Sequence, residues 1–201
     1  RCQIFDFKRI QVEDIAAHLA KICENENIEF ETDALHIIGQ KADGALRDGL
    51  SIFDRMISFN KSKITYKDTI ENLNILDYDY YFKAVDQALK QDIPSSLLTF
   101  NEILQKGFDG HNFINGLAEH LRNVLVCKNP QTVELMEVGD TIKTKYVEQS
   151  QNCDQDFILR ALEICNECDV QYKTSRNQRL LVELGLMQIC SLSSEGVVKK
   201  K

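Results

Sequence analysis

Gly44-Ala45-Leu46-Arg47-Asp48-Gly49-Leu50-Ser51-Ile52-Phe53-Asp54 is a glycine followed by apolar residues at helical spacing. Leu46, Leu50, Phe53 and Ile57 recur three or four positions apart, which predicts a helix that begins just after Gly44 and buries one face. Arg47 then falls in the first turn, where unpaired amide groups make the helix end electropositive and disfavour a cation. Two readings compensate for it: a local pair with Asp48, or an anionic ligand such as a nucleotide phosphate facing that helix end. The residues by themselves leave both open.

Upstream, Val12, Ile15, Ala16, Leu19, Ile22 and Cys23 form the stripe of an amphipathic helix that ends in the polar cluster from Glu24 to Asn27. Thr32 or Asp33 is the expected cap of a shorter helix through Leu35 and Ile38. These helices and the one after Gly44 can close one small core. Ahead of them Cys2-Gln3-Ile4-Phe5-Asp6-Phe7 alternates loosely and reads as a short strand remnant at 2–7.

Downstream, Thr65 with Asp68 three residues later resembles a capping box, and the domain boundary is placed just before it. Tyr78, Phe82, Val85 and Leu89 mark one helix, and Pro94 opens another that Gly107 stops. A further stripe of Phe113, Leu117, Leu121, Val124 and Leu125 is broken by Asn129-Pro130. The weakly patterned stretch from Thr141 to Ser150 is expected to be helical after a loose loop. Two long helices follow, one through Ile158, Leu162, Cys165 and Tyr172, the other through Leu180, Leu184 and Met187. The expected class is all-α: residues 1–64 as a three-helix domain, 65–195 as an antiparallel bundle of about five or six helices, and 196–201 as a frayed tail.

Composition agrees with this class. The 201 residues hold only 9 Gly and 2 Pro, too few turn-formers for a sandwich or barrel. Hydrophobic residues are 43% and charged residues 27%, which excludes a disordered or fibrous chain. With 24 Lys and Arg against 31 Asp and Glu the net charge is -7, a surface that repels phosphate backbones and argues against stand-alone DNA binding. No apolar run approaches the roughly 20 residues that span a bilayer. Seven Cys, an odd number with no secretory leader ahead of them, read as reduced thiols of a cytosol. The chain opens on Arg1 and not on Met, and reads as a piece of a longer protein.

Cys165-Asn166-Glu167-Cys168 has the spacing of a redox or zinc motif, but both sulfurs share the apolar stripe of Leu162 and Tyr172, and no second CxxC or His pair accompanies them. They read as core cysteines. His18, His36, His111 and His120 are scattered over separate helices without a triad or HExxH arrangement, so no metal site is expected.

Arg1-Cys2-Gln3-Ile4-Phe5-Asp6-Phe7, the helix after Val12, the Gly44 to Ser51 stretch with Asp54, and Asn177-Gln178-Arg179-Leu180-Leu181-Val182-Glu183 together resemble the gamma/tau subunits of bacterial DNA polymerase III, clamp-loader AAA+ ATPases, over essentially the whole chain. The resemblance implies an AAA+ lid at 1–64 and a collar, or oligomerisation, domain at 65–195. An ATPase domain carrying the phosphate loop, the metal-holding acids and the family's zinc cysteines would lie upstream. It implies that Arg47 is the second sensor arginine, reaching the ATP phosphates of its own subunit, and that Arg1 is a catalytic arginine finger acting in trans on a neighbour's nucleotide.

Further expectations come with the resemblance. The complete protein would use ATP with Mg to load the sliding clamp on primed DNA during DNA replication, in the bacterial cytoplasm at the nucleoid-associated replisome. This fragment would bind no cofactor and would not hydrolyse ATP, since no G-x-x-x-x-G-K-[ST] loop occurs in it. Its partners would be further copies of itself and the delta and delta-prime subunits, through the collar. The clamp and primed DNA would be reached only through the complete assembly, and no membrane is involved. Two alternatives stand beside this reading: the lid of another AAA+ ATPase, such as a branch-migration motor or a eukaryote-type replication factor, and a plain helical scaffold or adaptor in which Arg47 merely pairs with Asp48. The β-ribbon signals that a motor's winged-helix domain needs are not seen.

Overall fold

Residues 2–3, 8–59, 63–133, 136 and 138–198 are described by the computed structural model, with side chains up to Leu192 apart from that of Asp140. The order of elements is α1 (Val12–Glu26), β1 (Glu29–Phe30), α2 (Thr32–Lys41), α3 (Leu46–Phe59), β2 (Lys63–Ile64), α4 (Tyr66–Asn72), α5 (Tyr78–Leu89), α6 (Ile93–Gln105), α7 (Gly110–Val126), α8 (Asp140–Asn152), α9 (Gln155–Tyr172) and α10 (Gln178–Val198). The all-α class holds. Among the described residues its one departure is the parallel pair β1–β2, which joins Glu29 to Lys63 and Phe30 to Ile64. Of the expected strand at 2–7, residues 4–7 lie outside the described residues, and Cys2 and Gln3 are exposed and in no strand.

The first compact unit spans Arg1–Ile75 together with Glu137–Lys143. Its core is built by Ile15, Leu19 and Cys23 of α1, Leu35 and Ile38 of α2, Phe53 and Met56 of α3, and Ile64 of β2. Fully burying each large aliphatic side chain contributes about 1.5–3 kcal/mol, enough to set the packing of such a small unit. As expected, α1 ends at the polar cluster, where Asn27 takes the left-handed conformation at φ 55°. The cap of α2 differs from expectation. Glu31 occupies that position and makes no side-chain cap, while Thr32 and Asp33 lie inside the helix. The Glu31 carboxylate instead accepts the Tyr66 backbone N–H at 2.8 Å and stands 3.8 Å from Lys63 Nζ.

That contact helps to hold the start of α4 to the first unit, which runs to Ile75. Thr65 does cap α4, its Oγ1 accepting the Asp68 N–H at 3.1 Å. The helix it opens then packs against α2, with Ile70 buried, so it completes the first unit.

The second unit spans Leu76–Met136 and Thr144–Lys201. It holds α5, α6, α7, α9, α10 and the part of α8 from Thr144 onward. Here α9 packs on α7 and α10, and α10 also meets α5 and α6. Asp77, Asp92, Asp109 and Asp154 cap α5, α6, α7 and α9, each accepting a backbone N–H of the following turn. Pro94 sits in the first turn of α6, and Gly107, at φ 87°, ends it. Phe100, Phe113, Tyr81 and Tyr146 fill the core. At the C-terminus α10 continues to Val198, into the stretch expected to fray at 196–201, of which 199–201 lie outside the described residues.

Candidate functional site

The chain passes from α2 to α3 through two successive left-handed residues, Asp43 at φ 46° and Gly44 at φ 79°. Ala45 N–H closes the turn on the Ala42 carbonyl at 2.9 Å, and the Ala45 carbonyl then accepts the Asp48 and Gly49 N–H groups at 3.0 and 3.1 Å, opening α3. Gly49 fixes which way the helix faces. A Cβ there would stand 3.2 Å from Ile15 Cγ2 and 3.3 Å from Ala42 Cβ, so this side of α3 lies close on the core.

The opposite face carries Arg47, Asp48, Ser51, Asp54 and Arg55, all exposed. Ser51 Oγ donates to the Arg47 carbonyl at 2.9 Å. Among the described residues that guanidinium has no hydrogen bond or ion pair, and the local pair with Asp48 is not made. An unpaired cation therefore stands on the solvent side of a helix start, in the same first turn as the acidic Asp48, with its five N–H donors uncommitted. A planar fork of donors in that setting suits a phosphate or carboxylate ligand. Arg1, the other expected site residue, lies outside the described residues.

The remaining candidates are drawn into packing. Cys165 and Cys168 are buried on α9, and burial pushes the Cys165 thiol up to about 12 and raises that of Cys168. Such thiols stay protonated and unreactive. Cys168 also fits against α10 where Gly185 stands, because a Cβ at that glycine would lie 2.6 Å from its sulfur. His111 Nε2 meets Asp169 Oδ1 at 2.6 Å and its ring stacks on Tyr172 with centroids 4.6 Å apart, which ties α7 to α9. His120 is buried against Phe82 and Tyr146, with Nε2 on Gln149 Oε1 at 2.7 Å. Burial holds its pKa down at about 4, so the ring is neutral. Among the described residues no group of three or more His, Cys, Asp or Glu is placed to hold a metal ion.

Two side chains that periodicity passes over meet at the Gly44 turn. The Arg9 guanidinium donates to Asp43 Oδ1, and the Ile10 N–H donates to the Gly44 carbonyl at 3.1 Å. The sequence signal for this contact is Gly44 alone, since residues this far apart leave no local pattern.

Comparison with known proteins also divides the chain in two. Residues 14–62 match the family model of the DNA polymerase III clamp loader subunit, ATPase lid domain, and residues 67–200 match that of DNA polymerase III subunits gamma and tau domain III. The chain belongs to the DNA polymerase III gamma/tau family. It is 28% identical over 196 residues to DNA polymerase III subunit tau of Bacillus subtilis (strain 168), covering 98% of this chain and 35% of that one. To DNA polymerase III subunit gamma of Buchnera aphidicola subsp. Baizongia pistaciae it is 26% identical over 210 residues, covering 100% of this chain and 55% of the relative. The chain thus spans about a third to a half of these gamma and tau subunits. In fold it is similar to the Bacillus subtilis DNA clamp loader delta protein, with a TM-score of 0.54 and 16% identity over 92% of this chain and 58% of that one. Within the gamma/tau family, then, Arg47 lies in the lid match and the CxxC of α9 in the domain III match. The domain III match begins inside α4, although α4 packs with the first unit.

Proposed function

We propose that this chain is the lid and oligomerisation region of a clamp-loader subunit whose complete form uses ATP with Mg to load a sliding clamp on primed DNA. The observation that carries this reading is the free, exposed Arg47 guanidinium at the start of α3, inside a segment matched to a clamp-loader ATPase lid. In this reading Arg47 acts as the second sensor, its donors and the positive end of α3 converging on the nucleotide's phosphates. Bound ATP with Mg supplies the phosphoanhydride whose hydrolysis drives the loading cycle. Contact with phosphate would favour lid positions in which Arg47 makes it.

Arg1 is assigned the finger role in trans, where such a residue is worth about three to five powers of ten in rate. The 201 residues contain no G-x-x-x-x-G-K-[ST] string, so hydrolysis is assigned to the complete protein and not to this piece. Domain III is assigned the contacts with further copies and with delta and delta-prime subunits, and the clamp and primed DNA are met by the whole assembly in the bacterial cytoplasm.

The test is ATP-dependent clamp loading by a loader containing the complete protein with Arg47→Ala. Loading should fall about tenfold or more while the subunits still assemble, since a charge-assisted hydrogen bond contributes about 1.5–3 kcal/mol. Undiminished loading would refute the sensor role of Arg47.

A further inference from the structure

We infer that Arg9 is a positioning residue for Arg47, and that the segment Arg9-Ile10 is a strap through which the chain ahead of the lid and the start of α3 move together. The inference rests on the nucleotide reading of Arg47 given above. It begins from two glycines that lie against one stretch of backbone. A Cβ at Gly44 would stand 2.6 Å from Arg9 Cβ, and a Cβ at Gly39 would stand 2.9 Å from the Val12 carbonyl oxygen. Residues 9–12 are therefore seated directly on the end of α2 and on the turn that follows it, at a spacing that only glycine permits.

Polar contacts then fix the strap on both residues of that turn. The Arg9 guanidinium donates to Asp43 Oδ1, and the Ile10 N–H donates to the Gly44 carbonyl at 3.1 Å. Asp43 and Gly44 are the two left-handed residues, so the strap grips the part of the backbone whose conformation aims α3. Arg47 is three residues further on. Burial does not explain the arrangement: Ile10 is 38% exposed, and the Arg9 and Asp43 side chains are 76% and 75% exposed.

An exposed ion pair of this kind contributes little to global stability, which turns attention to what it holds in place. In the chain, Arg9 and Ile10 lie between the residues up to Lys8 and the start of α1. A shift of that segment is passed to Asp43 and Gly44, and from there to the first turn of α3. By the same path a phosphate drawn onto Arg47 is felt at Arg9.

Two measurements test this. Amide hydrogen exchange on this chain should show protection at Ile10, Asp48 and Gly49 falling about threefold to fivefold in Arg9→Ala, with α9 unchanged and with Arg9→Lys restoring most of the loss. In the complete protein, Arg9→Ala should weaken ATP binding about threefold, and should weaken it no further in an Arg47→Ala background. Unchanged exchange, or equal weakening with and without Arg47, overturns the strap while leaving the sensor role of Arg47 standing. Unaltered ATP affinity in Arg47→Ala alone overturns the nucleotide reading, and the positioning role with it, whatever the exchange shows.

Discussion

His120 and Arg47 show how much a single residue's surroundings decide. Gln149 donates its Nε2 to the Phe82 carbonyl at 2.9 Å and to Asp86 Oδ1 at 2.8 Å, so its Oε1 faces His120 and receives the Nε2 proton. Nδ1 is buried without a partner, and a proton added there would be a charge with no acceptor. The folded protein therefore binds that proton only near pH 4, whereas the unfolded chain binds it near 6.5. As pH falls through this window the unfolded state takes up the proton first. The stability from burying a neutral ring is thus complete above about pH 6.5 and lost progressively toward pH 4. Between pH 7 and pH 5 the wild type should lose about 2 kcal/mol more than His120→Gln in denaturant unfolding; parallel losses would show that the ring does not titrate in this way. Arg47 was legible in the sequence as a cation in the wrong place on a helix, because one turn of spacing suffices to see it. Arg9 was not. Its meaning depends on Asp43 and Gly44, which only the fold brings to it.

At the level of elements, local chemistry was readable and non-local choice was not. The Thr65–Asp68 cap, the Pro94 start and the Gly107 stop each depend on neighbours within a turn, and each was placed from sequence. Thr65→Ala should lower the stability of the first unit by about 1 kcal/mol in chemical denaturation. The N-cap of α2 and the side of the boundary on which α4 falls depend on Glu31 meeting Tyr66, a contact between distant segments that no periodicity announces. The same holds for β1–β2, whose two-residue strands are too short to alternate visibly. Gly116 is a second case. On a bare helix, Gly to Ala is favourable by about 1 kcal/mol. Here the new Cβ would lie 2.1 Å from the Tyr81 hydroxyl oxygen and 2.5 Å from ring carbon Cζ, in a buried aromatic that stacks on Phe113. Gly116→Ala should therefore destabilise the second unit by about 1–3 kcal/mol net, and a rise in melting temperature would contradict the packing described.

On the scale of the whole molecule, the sequence divides into a lid match and a domain III match, while the structure divides into two units whose limits differ from those matches at α4 and at Glu137–Lys143, both of which group with the first unit. The all-α class and the family were legible because helical stripes and the Gly44 to Asp54 string are local signals. The exposed Arg47 could be read from one turn of sequence, whereas Arg1, proposed to act on a nucleotide held by another subunit, lies outside the described residues. In the proposed function the Arg47 cation is tolerated at the start of α3 because phosphate is its partner. Equilibrium binding of ATP to the complete protein, wild type against Arg47→Ala, tests it most directly. The predicted result is an affinity lower by about tenfold or more with melting temperature and assembly retained; equal affinity in the two proteins would contradict it.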